Sequence, residues 1–203
     1  SFYRSQHVEV VSELPLRALG LVTGRLQDRS TPLGELASVF TAVADAVAWS
    51  MLPPRTFWRL FRQDGTLAEL CRNFLLASRI LHAFGLRATS RPPMPPTHAH
   101  HMWESWDSAL ELFLLRLASS QRAPAALRTC LFFEEQMTAL SVALRFQGDG
   151  LTPGQDPEPP AELPVLLQGL LHKHCGCRRK SLHLLACFVD LGAWAVRLTL
   201  QLA

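Results

Sequence analysis

The sequence is short of the residues that build β-sheets. Isoleucine occurs once (Ile80), tyrosine once (Tyr3) and asparagine once (Asn73), while leucine, alanine and arginine dominate. Such a composition keeps rotamer freedom in a helix and gains little on a pleated surface, so an all-α fold is expected. Lysine is almost missing too. Only Lys173 and Lys180 stand among the 20 basic residues, and arginine, which packs along apolar surfaces and pairs bidentately with carboxylates, supplies the rest.

Catalytic signatures are also lacking. No Gly-rich phosphate loop, HExxH, GxSxG or dinucleotide fingerprint occurs. Glu134 and Glu135 are adjacent, project about a quarter-turn apart on a helix and need not share a site. A non-enzymatic protein without a cofactor is therefore expected. The formal charge of +3 is too small to point to nucleic acid by itself. The opening SFYRSQHVEV has no initiator Met and neither the charged nor the apolar region of a signal peptide, so it reads as part of a longer or processed chain.

What is present is apolar surface. Hydrophobic residues make up 48% of the 203 residues and charged ones 18%, which suits a folded chain that hides some of its surface in partners. That length fits one helical domain over 1–203. Five cysteines form an odd set, and Cys71 and Cys130 lie in apolar helical runs. Buried thiols of this kind suit a reducing compartment, cytoplasm or nucleus, better than a disulfide framework.

The apolar periodicity predicts about seven helices in an irregular bundle or a short α-solenoid, although no repeat signature recurs. A first helix falls near 12–27. Thr31 and Pro32 open a second that stops at Pro53-Pro54. A short helix in RTFWRLFR follows, and Thr66 with Glu69 reads as the capping box of the next, which ends at Gly85. Residues 87–97 form a Pro-rich connector, read as a spacer. An amphipathic helix then carries Trp103, Trp106, Leu110, Phe113 and Leu117 on one stripe, and a helix at about 124–146, apolar on more than one side, is expected to lie deep. Residues 147–160 read as a mobile acidic Pro/Gly loop. Two last helices are expected at 162–174 and 181–202.

Three stretches compete for a functional role. In HKHCGCRRK, Cys175, Cys177, His183 and Cys187 are zinc-ligand types, but one residue between the first two cysteines is an unorthodox spacing. The favoured reading is a hinge: Gly176 ends one helix, the basic residues face its dipole, and Ser181 caps the next. The apolar segment 178–203 raises membrane anchoring, with acylation at Cys175 or Cys177. Its Leu, Phe and Val residues bring roughly −3 to −6 kcal/mol to a span, while Asp190 and Arg197 cost about +5 to +7. A central core helix with His183, Asp190 and Arg197 on one polar line is favoured instead.

The third stretch is PPRTFWRLFRQDG. Arg55, Arg59 and Arg62 fall on one helical face and Phe57, Trp58 and Phe61 occupy others, and Arg and Trp are enriched among interface hot spots. The competing reading is a solvated Arg face. A fourth group, His98, His100 and His101, reads as a helix start rather than a metal site. Together these features point to a protein–protein interaction module, a scaffold or adaptor subunit of a larger intracellular complex, with Arg55, Trp58, Arg59 and Arg62 as the partner-binding residues. A peripheral membrane protein and a nucleic-acid-associated subunit are the alternatives.

Overall fold

The architecture is set by one helix that is apolar on every side. Helix α1 (Pro32–Met51) buries Leu36, Val39, Val43, Val47 and Trp49 together with Ala42, Ala44, Ala46 and Ala48. The alanines let neighbours approach closely all round, so α1 packs against each of the next five helices. Its start is the expected one. Thr31 is extended and its Oγ1 accepts the Gly34 N–H at 3.2 Å, while Pro32 at the first position has no N–H to leave unpaired. Pro53 and Pro54 stop it, with Leu52 in the extended conformation that a following proline favours.

The computed structural model describes residues 25, 27–29, 31–89, 95–118, 126–149 and 159–202. The helix expected near 12–27 and much of the 87–97 and 147–160 segments therefore lie largely outside the described residues. Among those described there are eight helices and no strand, an all-α fold as expected.

Helix α2 (Pro54–Phe61) sends Phe57 and Phe61 inward, stacked at 5.2 Å, with Trp49 edge-on to Phe57. Each buried phenylalanine contributes about 2–3 kcal/mol. Helix α3 (Gly65–Ala83) is capped by Asp64, whose Oδ1 accepts the Leu67 N–H at 2.8 Å. The expected Thr66–Glu69 box is thus displaced: Thr66 already sits inside the first turn. The helix ends as expected, Gly85 at φ 71 allowing the Leu86 N–H to reach the Leu81 carbonyl at 2.9 Å.

Helix α4 (Met102–Ala118) buries Trp103 and Trp106. Helix α5 (Ala126–Asp149) runs three residues into the segment expected to be a loop. It is less deep than expected. Phe132, Phe133, Met137 and Leu140 are buried, but Glu134, Glu135, Thr138, Ala139 and Val142 face solvent.

The largest departures lie at the C-terminal end. Helix α6 (Leu163–Leu170) stops before the histidines, and α7 (Cys175–Val189) begins at Cys175, with Gly176 inside its first turn. The hinge is residues 171–174, not Gly176. Arg178, Arg179 and Lys180 stand within the first two turns of α7, not in the last turn of α6. Ser181 caps nothing: it is fully buried in mid-helix, its Oγ donating to Met137 Sδ at 3.2 Å. The apolar run then breaks at Gly192, at φ 131, before α8 (Ala193–Leu202). His183 and Arg197 consequently lie on different helices and no polar line joins them. The buried central helix is α1, whereas Leu182, His183, Ala186 and Cys187 of α7 are exposed.

Helix α7 packs against α5, α6 and α8, and α8 returns to lie on α2. The last helix thereby borders the Arg-Trp face.

Candidate interaction surface

Four groups of α2 were expected to act together, and the fold separates them. Phe57 and Phe61 occupy the inward face, which turns Arg55, Trp58 and Arg59 outward. Trp58 is 41% exposed. Pro54, Arg55, Trp58 and Arg59 line a shallow depression of about 430 Å³ whose other wall is Leu200 and Gln201 of α8. Leu200 is 70% exposed. The result is an apolar floor of indole and leucine between two guanidinium groups, with no carboxylate in the lining.

Arg62 points the other way. Its Nη1 donates to Asp45 Oδ2 at 2.9 Å and to the Phe61 carbonyl at 3.0 Å, its Nε donates to the Leu202 carbonyl, and its guanidinium lies 5.0 Å above the Phe57 ring. Asp45 is completely buried and also accepts from Arg72, Nε to Oδ1 at 2.7 Å. One carboxylate of α1 therefore ties α2, α3 and, through Leu202, α8. Arg62 fixes the frame on which Trp58 and Arg59 are displayed. A lone acid inside the apolar run FTAVADAVAWS was the signal that some arginine must reach it, since an unpaired buried charge is costly.

The zinc-type residues are spread along one helix. Cys177 is buried and Cys175 exposed, and they precede His183 by six and eight residues, about 9 and 12 Å along the axis. His183 Nε2 is 3.9 Å from Cys187 Sγ. Among the described residues no group of three His, Cys, Asp or Glu is placed to hold a metal ion, and no helix is long and apolar enough to cross a membrane. Burial pushes the Cys71 thiol up, against the pull of Arg72. His98, His100 and His101 lie at the start of α4, His82 of α3 stacking on His98 at 3.7 Å.

A larger cavity, about 770 Å³, was not foreseen. Helices α1, α3 and α4 line it with Leu36, Phe40, Leu76 and Trp106 and with the buried Asn73, whose Nδ2 has no hydrogen-bond partner. No sequence signal marks it, because its walls are the ordinary apolar stripes of three helices.

No protein-family model matches the chain. The chain is similar to Regulatory-associated protein of TOR 1 from Arabidopsis thaliana, 42% identical over 200 residues that cover 98% of this chain and 14% of that protein. It is 45% identical over 197 residues to the Target of rapamycin complex 1 subunit mip1 from Schizosaccharomyces pombe, covering 94% of this chain and 14% of that protein. Its fold is similar to the crystal structure of Chaetomium thermophilum Raptor, with a TM-score of 0.77 and 43% identity over 93% of this chain and 16% of the other. The chain thus spans about one-seventh of the length of the curated relatives named, and along nearly all of its own length it is similar to a helical portion of Raptor-type proteins.

Proposed function

We propose that the chain is a non-enzymatic protein–protein interaction module, a scaffold or adaptor segment acting within an intracellular assembly of the target of rapamycin complex 1 type. The observation that carries this reading is similarity over nearly the whole chain to proteins named as regulatory partners of TOR and as a subunit of that complex. Its partners are other protein subunits. The chemistry of the α2 face supports binding: Arg55, Trp58 and Arg59 are exposed beside Leu200, the combination of aromatic anchor, apolar floor and guanidinium rim that hot spots favour. Arg62 belongs to the same reading as the residue that holds this face in place.

Cys71, Cys175, Cys177 and Cys187 form no disulfide among the described residues, which suits a reducing compartment, cytoplasm or nucleus. The test is binding to purified subunits of such a complex with and without Trp58→Ala plus Arg59→Glu. Loss of binding by a variant that melts like the parent supports the face, and binding by neither chain removes the scaffold reading.

A further inference from the structure

Residues 97–101 strap the end of α3 to the start of α4, and their contacts depend on neutral imidazoles. The Ser50 hydroxyl donates to the Val47 carbonyl at 3.0 Å, which uses its only hydrogen. Its 2.8 Å contact with His100 Nε2 must then be a bond that His100 donates. On the other side of the ring, Nδ1 accepts the Met102 N–H at 3.2 Å, closing the first turn of α4. Both ring nitrogens are therefore assigned: Nε2 carries the proton and Nδ1 must not.

A second imidazole contact lies beside the first. His82 of α3 stacks on His98 at 3.7 Å and 17°, and His100 stacks on His101 at 4.4 Å. Arg79 donates to the His98 carbonyl at 3.1 Å, pairs with Asp107 of α4, and lies 5.5 Å above the Trp103 ring. Trp103 Nε1 closes the strap by donating to the Thr97 carbonyl at 2.8 Å. The titratable and charged groups around the strap are thus Arg79 and His82 from α3, Asp107 from α4, with Glu104 in its first turn, and His98 and His101 of the strap itself. α1 contributes the uncharged Ser50. Asp107 is held by Arg79, which carries its charge beside the strap.

We propose that residues 97–101 form an acid-operated latch: protonation of His100 at Nδ1 releases the strap and loosens the junction of α3 with α4. A protonated Nδ1 turns an acceptor into a donor aimed at the Met102 N–H. Burial, and then the neighbouring His101, hold the His100 pKa below its ordinary value of 6.5, so the latch is closed at neutral pH. Arg79, Trp106 and Asp107 also line the large cavity, which places the latch at that cavity's α3–α4 end.

The test is native-state hydrogen exchange of the backbone amides of residues 102–104, corrected for intrinsic rate, at about pH 7.5 and about pH 5.5. The latch predicts that acidification lowers protection there several-fold, up to about tenfold, while the amides of α2 change little. His100→Asn, whose amide oxygen can still accept the Met102 N–H, should abolish that drop. If that variant does not fold, imidazole nitrogen shifts of the parent chain decide. Titration of His100 from the Nε2–H tautomer in step with the loss of protection supports the latch. Equal loss across all helices, a drop that persists in the variant, or a His100 that titrates with protection unchanged overturns it.

Discussion

Arg72 grips Asp45 with two nitrogens, Nε on Oδ1 at 2.7 Å and Nη2 on Oδ2 at 3.2 Å, across the contact between α3 and α1. Arg62 shares the same carboxylate from α2. Replacing Asp45 by Asn removes the charge that both guanidinium groups face in a site with no exposure at the carboxylate. Breaking a buried pair from one side costs about 3–5 kcal/mol, and urea unfolding of Asp45→Asn should show a loss of that order. A loss below about 1 kcal/mol would mean that the triad is not the clamp described.

The two arginines one turn apart on α2 should behave in opposite ways. Arg62→Ala leaves Asp45 with Arg72 alone and opens contacts to Phe57 and Leu202, so a loss of about 1–3 kcal/mol is expected. Arg59→Ala, on the exposed side, should stay within about 0.5 kcal/mol of the parent. Equal thermal midpoints for the two variants would contradict the inward assignment of Arg62.

Gly169 sits where α6 crosses α7 and α5. A Cβ there would collide with Ser181 Oγ and press on Met137 Cε at 3.4 Å. Gly169→Ala is expected to cost about 1–3 kcal/mol through overpacking, and Ser181→Ala in the same chain should recover part of that loss. Strict additivity of the two changes in denaturant melts would count against the close approach.

His172 gives a stability effect with a definite sign. It is buried, its Nδ1 accepts the His174 N–H at 3.1 Å, and burial first, then His174, Arg29 and Arg178, hold its pKa below the ordinary 6.5. A histidine with a depressed folded pKa stabilises fully above the unfolded value and loses that contribution as pH falls from there through the folded value. The melting-temperature advantage of the parent over His172→Gln should therefore shrink as pH drops below about 6.5. An advantage that grows on acidification would reverse the assignment.

From residue 31 to the middle of the chain, helix ends were legible where they are marked locally. Thr31-Pro32, Pro53-Pro54 and Gly85 each satisfy or remove a backbone group within a few residues, and each stands where expected. The second half was not, because its signals are ambiguous without partners. Gly176 serves as well inside a first turn as after a last one, and the apolar periodicity continues through 190–192, where the helix in fact breaks. Ser181 looked like a cap until Met137 of another helix is placed against it. For the candidate face, Arg55, Trp58 and Arg59 are exposed, as a partner-binding role requires. The inward turn of Arg62 depends on a carboxylate 17 residues away on a different helix.

The central claim is that Arg55, Trp58 and Arg59 form a partner-binding face on a frame held by Arg62. Side-by-side Kd measurements of the parent chain and the Trp58→Ala plus Arg59→Glu variant, against purified target of rapamycin complex 1 subunits, test it most directly. Binding by the variant is expected to be at least about tenfold weaker, some 1.4 kcal/mol, with an unchanged melting temperature. Equal affinity of the two chains for every subunit that the parent binds would contradict it.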